Sequence, residues 1–165
     1  MLIVLSGLPG VGKTTIAREL ARAADAVHLR IDSIEQALRD TGHAVEAEGY
    51  HVAYAVAADN LRLGRVVIAD CVNPWAITRD EWRSVARRNG VSALEVEIVC
   101  SDAGEHRRRV EARSPDIPGH ELPTWADVLA RDYQPWKGDR LVIDTAVLGV
   151  DESVRAILAA GSLTT

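Results

Sequence analysis

The chain alternates between two hydrophobic rhythms. Short, mainly apolar runs recur at residues 2–6, 27–31, 66–70, 94–100 and 141–144, and each reads as a strand. Between them apolar residues return every three or four positions, as at Ile16, Ala17, Leu20, Ala21 and Ala24, which is the spacing of an amphipathic helix. This pattern predicts helices at 13–24, 33–39, 50–63, 78–89, 103–113, 124–133 and 152–160. Gly64 and Gly90 stand where helix C-caps belong, Thr124 where an N-cap belongs, and Asp32 or Ser33 is expected to cap the second helix. Residues 114–123 hold three prolines and a glycine and read as a loop. Strand–helix alternation of this kind predicts an α/β fold, a three-layer sandwich with a five-stranded parallel sheet. Ligands are then expected at the carboxyl ends of the strands.

Length and composition narrow the picture only modestly. A chain of 165 residues, with no repeat and no linker-like segment, is one domain spanning 1–165. The apolar opening run stops at Ser6, too short for a secretory core or a membrane span. The two cysteines, Cys71 and Cys100, have no metal-binding spacing and imply no disulfide framework. A reducing cytoplasm is the expected location. A formal charge of −5 argues against a general nucleic-acid binder, which must neutralise many phosphates.

One stretch carries definite chemistry. Gly7-Leu8-Pro9-Gly10-Val11-Gly12-Lys13-Thr14, followed by Thr15, matches GxxxxGK[ST] between a strand and a helix. In such a phosphate-binding loop the glycines let backbone N–H groups turn inward, and the next helix presents its positive end. Gly7, Pro9, Gly10, Val11, Gly12, Lys13, Thr14 and Thr15 are therefore the candidate nucleotide site. Lys13 is placed to reach the β- and γ-phosphates, and the Thr14 hydroxyl to join a Mg²⁺ shell. A GTPase needs an NKxD to read guanine, and none occurs. The DxxG at 116–119 falls in the Pro-rich loop rather than at a strand end.

The acceptor side is read from the other strand ends. Asp32 follows the second strand and is the candidate general base toward a hydroxyl. Asp70 ends the third strand and is the candidate second metal-shell group, or an acceptor contact. Taken together, GLPGVGKTT, IDSIEQA, VVIADCVNP and HRRRVEAR resemble the small P-loop kinases grouped with polynucleotide 5′-hydroxyl kinases, chloramphenicol phosphotransferases, gluconate kinases and zeta toxins. The resemblance covers residues 1–145. It implies a P-loop NTPase fold of the nucleoside-kinase-like kind, with a helical lid at about 104–136 and ATP and Mg²⁺ as cofactors. In that group the base falls on Asp32. Where polynucleotide kinases continue DxxR, this chain has Glu35, which suits a neutral or cationic acceptor. Asn73, of the Asn73-Pro74 pair, and Trp75 are expected to border the acceptor pocket together with Glu35.

The resemblance also implies arginines that close over the transferring phosphoryl group. Arg109 and Arg113 are four apart, on one helix face. Arg113, at the loop margin, is the first candidate for the transition-state contact and Arg109 the second. The leading expectation is thus a phosphotransferase moving the γ-phosphate of ATP to a hydroxyl of a small molecule. A polynucleotide 5′-hydroxyl kinase and a nucleotide-binding regulatory protein without a separate acceptor are the alternatives. Sequence alone names neither the acceptor nor the oligomeric state.

Overall fold

The computed structural model describes residues 1–163. Five strands form one all-parallel sheet: β1 (Leu2–Ser6), β2 (Val27–Arg30), β3 (Val67–Asp70), β4 (Ala93–Val99) and β5 (Leu141–Asp144). Their spatial order is β2-β3-β1-β4-β5. Seven helices connect or follow them: α1 (Lys13–Ala23), α2 (Ile31–Asp40), α3 (Glu48–Arg62), α4 (Ala76–Arg88), α5 (Ala103–Ala112), α6 (Trp125–Ala130) and α7 (Val150–Ala160).

The central strand explains the layering. Every residue of β1 is buried, because its alternating side chains enter two separate cores. Leu2 and Val4 join Leu29, Ala53, Ala57, Leu61, Val67, Ala69 and Trp82 on one face. Ile3 and Leu5 join Ile16, Leu20, Ile68, Ile98, Ile143 and Ile157 on the other. Helices α3 and α4 cover the first face, and α1 and α7 the second. The predicted α/β sandwich and its parallel sheet are therefore present. No helix among the described residues is long and apolar enough to cross a membrane.

Register puts chemistry at one edge. Leu5 pairs with Asp70, and Asp70 pairs with Arg30. The carboxyl ends of β1, β3 and β2 therefore stop in one row, facing the loop that follows β1.

Two local expectations are corrected. The second helix begins at Ile31, directly after β2, with Arg30 as its N-cap and no side-chain cap. Asp32 therefore lies inside the first turn and caps nothing. The helix expected over 124–133 stops at Ala130. Thr124 caps it as predicted, in a reciprocal capping box with Asp127, but Arg131 turns extended (φ −68°, ψ 125°). Residues beyond it follow an irregular path, held by Arg79. That buried guanidinium donates to the carbonyls of Asn73 (3.0 Å), Pro74 (3.1 Å) and Gln134 (2.9 Å). It also stacks 4.1 Å over the Trp136 ring.

Candidate active site

A cleft of about 1170 Å³ opens along the strand ends, lined from Pro9 and Gly10 at one side to Asp32, Arg30 and the 114–123 loop at the other. Its floor is the glycine loop. Gly10 (φ 85°) and Gly12 (φ 100°) both take the left-handed conformation, which side chains resist. Gly12 is the N-cap of α1, and no side chain caps that helix and no acidic residue lies in its first turn. The helix thus presents uncapped N–H groups and its positive end to the cleft, as an anion site requires. Lys13 Nζ folds back to donate to the Leu8 carbonyl at 2.9 Å.

Three charged groups border this floor. Burial lowers the Lys13 pKa, and the nearby Asp70 and Asp32 carboxylates offset only part of that shift. Asp70, only 3% exposed, accepts from His28 Nε2 at 3.3 Å. Burial alone would raise the Asp70 pKa. The His28 contact, the Lys13 charge and the Thr14 hydroxyl outweigh it and hold the carboxyl below its ordinary range. Asp70 is therefore an anion beside Thr14, the pairing a Mg²⁺ shell uses. Among the described residues no cluster of three His, Cys, Asp or Glu side chains forms a metal cage. A hard cation held mainly by phosphates and water needs no such cage.

Asp32 lines the cleft, with Oδ2 lying 3.7 Å from Arg30 NH2. Arg30 was not singled out by sequence reasoning, because nothing in the local pattern marks it. Its guanidinium grips both oxygens of Asp116, at 2.7 and 3.0 Å. Arg18 of α1 reaches the same carboxylate. Asp116 therefore ties the Pro-rich loop across the cleft mouth.

The two candidate transition-state arginines separate clearly. Arg109 donates to Thr145 Oγ1 (2.9 Å) and to the Thr145 carbonyl (3.0 Å), while Thr145 Oγ1 donates to the Val11 carbonyl. Arg109 therefore clamps the segment after β5 onto the glycine loop. Arg113 also lines the cleft, but its one hydrogen bond is a long 3.4 Å contact to the Pro123 carbonyl. Burial lowers its pKa and the Asp32 carboxylate raises it. Arg113 is thus the more available of the two.

The remaining expected pocket residues divide. Trp75 borders the cleft, with Nε1 donating to Asp132 at 3.0 Å. Glu35 also borders it, but accepts from Arg39 at 3.0 Å, so its charge is already paired. Asn73 does not face the pocket. It is fully buried, its Nδ2 donating to Ser6 Oγ at 3.0 Å and its N–H to the Tyr50 hydroxyl at 2.9 Å. Its left-handed backbone (φ 50°) suits an asparagine and aims the side chain back under β1. Asn73 shapes the floor from behind, and Tyr50, from the glycine-punctuated 41–51 segment, lines the cleft instead.

This combination of a parallel sheet, an uncapped glycine-loop helix and the GxxxxGK[ST] sequence between them defines a P-loop protein. The chain belongs to the AAA domain family, whose model matches residues 2–131. Its fold is that of the small P-loop kinases. It is similar to the APS kinase CysC of Mycobacterium tuberculosis in complex with AMPPNP and APS (TM-score 0.77, 19% identity, 98% of this chain and 96% of that one). It is also similar to a gluconokinase from Sinorhizobium meliloti (TM-score 0.67, 19% identity, 97% and 90%). A third similar structure is Kti12 of Chaetomium thermophilum in complex with ADP-AlF3 (TM-score 0.66, 20% identity, 98% and 97%). No curated protein matches the sequence.

Proposed function

We propose that this protein transfers the γ-phosphoryl group of ATP to a hydroxyl of a small-molecule acceptor. The observation that carries this reading is one cleft bordered by Lys13, Asp32 and Arg113, with the open N-terminus of α1 as its floor.

Each side chain has a derivable task. The loop N–H groups and Lys13 hold the phosphates and fix the terminal group in line. Asp32 accepts the proton of the acceptor hydroxyl as the new P–O bond forms. Arg113 stabilises the charge that spreads over the transferring oxygens. Arg109, through Thr145, keeps the nucleotide end of the cleft in shape. Thr14 and Asp70 fit a Mg²⁺ ion, which when bound neutralises phosphate charge.

The experiment follows label from γ-³²P-ATP into a panel of hydroxyl compounds and a 5′-hydroxyl oligonucleotide. Transfer to a small molecule, lost in Asp32→Asn, supports the reading. Transfer to the oligonucleotide alone replaces it with the polynucleotide kinase. Slow hydrolysis with no labelled acceptor replaces it with a regulatory nucleotide-binding protein.

A further inference from the structure

We propose that the acceptor pocket contains a subsite for a small oxyanion, gripped by Arg30 and flanked by Arg113, which the carboxylate of Asp116 fills from within the chain. The acceptor is then a compact hydroxyl compound that bears a carboxylate, phosphate or sulfate group. This deepens the kinase reading and rests on it.

Three observations carry the inference. First, Arg30 binds Asp116 with two nearly parallel contacts of 2.7 and 3.0 Å. This fork geometry serves any carboxylate, phosphate or sulfate equally well. Second, each arginine keeps an unused donor. The Arg30 side chain is only 11% exposed, and the Nε atoms of Arg30 and Arg113 are both buried with no hydrogen-bond partner among the described residues. A buried donor left unpaired is costly, and a free oxyanion with three or four oxygens can reach donors that the tethered Asp116 carboxylate leaves unmet. Third, Asp116 sits on the irregular Pro-rich loop, not on a helix or strand, so it can leave without disturbing the sheet.

Position supplies the substrate geometry. The same NH2 of Arg30 that binds Asp116 lies 3.7 Å from Asp32. An oxyanion replacing Asp116 therefore lies beside the hydroxyl that Asp32 would deprotonate. Glu35, which borders the same cleft, is ion-paired with Arg39 at 3.0 Å. The oxyanion-bearing acceptor is the alternative to the neutral or cationic one expected from Glu35.

The test measures binding, not turnover. The full chain, loaded with Mg²⁺ and AMPPNP to fill the phosphate loop, is titrated calorimetrically with glycerate, glycerol 1-phosphate and glycerol. The two anions are expected to bind at least about tenfold more tightly than glycerol, and the tighter of them identifies the oxyanion. Asp116→Asn removes the internal competitor and is expected to tighten both anions at least about threefold. Arg30→Gln is expected to bring them down to the glycerol level. Arg30→Lys, which keeps the charge but loses the fork, should fall between and controls for misfolding. Equal binding of anions and glycerol overturns the subsite. So does a gain from Asp116→Asn that survives in the Arg30→Gln background, or an Asp116→Asn protein that binds none of the three. Glycerate is titrated again without nucleotide. Anion binding in a protein that takes up no AMPPNP would defeat the kinase reading and leave the subsite standing.

Discussion

Nε2 of His106 donates to the carbonyl of Pro9 at 2.8 Å, joining α5, the helix that carries Arg109, to the phosphate loop. The bond is buried, and Trp125 packs edge-on against the same imidazole, 5.0 Å between centroids. A Cβ at Gly10 would lie 2.4 Å from Val110 of the same helix. Helix α5 is thus seated on the loop. Residues 114–123, with Arg113 at their root, carry no such contact to the loop, and any closure is expected there, while Arg109 is held by Thr145.

That division predicts a kinetic split. Arg113→Ala should lower kcat by about 10²–10³-fold with little change in the KM for ATP. Arg109→Ala should act chiefly on the KM for ATP. Steady-state kinetics of the two variants separate these outcomes.

Asp32→Asn should lower turnover by about 10²–10⁴-fold, the range of a lost general base. Affinity for Mg-AMPPNP, read by calorimetry, should change only a few-fold.

The two ends of the loop should respond unequally to alanine. At Gly7 (φ 144°) an added Cβ would meet the Ile98 carbonyl oxygen at 2.2 Å, and that backbone lies inside the sheet. At Gly12 the nearest atom is 3.6 Å away, leaving only the left-handed penalty of about 1–2 kcal/mol. Gly7→Ala should therefore depress the melting temperature more than Gly12→Ala.

Arg79→Ala removes the donor of several buried carbonyls and the stack on Trp136. A loss of at least about 3 kcal/mol is expected, or roughly 6–12 °C in melting temperature for a chain of this size. Differential scanning fluorimetry measures it.

Acid should loosen the cleft. The Arg30 hydrogen bonds hold the Asp116 pKa well below its ordinary 3.8, and Asp70 is depressed as well. A carboxyl depressed on folding contributes stability that is complete above its unfolded pKa and lost as pH falls through the folded value. Urea melts should show Asp116→Asn less stable than the parent near neutrality. The difference should shrink as pH drops below 3.8.

Much of this was legible in the sequence, because the signals were local. The strands show as apolar runs, and Thr124 sits at the start of its helix as capping chemistry requires. The glycine loop carries its own motif. What escaped depends on partners far away in the chain. Arg30 meets Asp116 across 86 positions, and His106 meets Pro9 across 97. Asn73 was assigned by resemblance to the pocket wall, yet its positive φ turns it toward Ser6. Arg79 reads as one more helical surface arginine until the 133–136 tail folds over it. Asp32 lies two positions deeper in its helix than expected because Ile31, apolar enough to extend a strand, is buried as the first residue of α2 instead.

The row formed by Leu5, Asp70 and Arg30 separates two kinds of evolutionary freedom. Leu5 and the residues upstream in each strand answer to the two cores, whereas Asp70 and Arg30, last in β3 and β2, answer to whatever enters the mouth. Exchanges at and just beyond the end of β2 can redirect substrate choice while the sheet that displays them keeps its register.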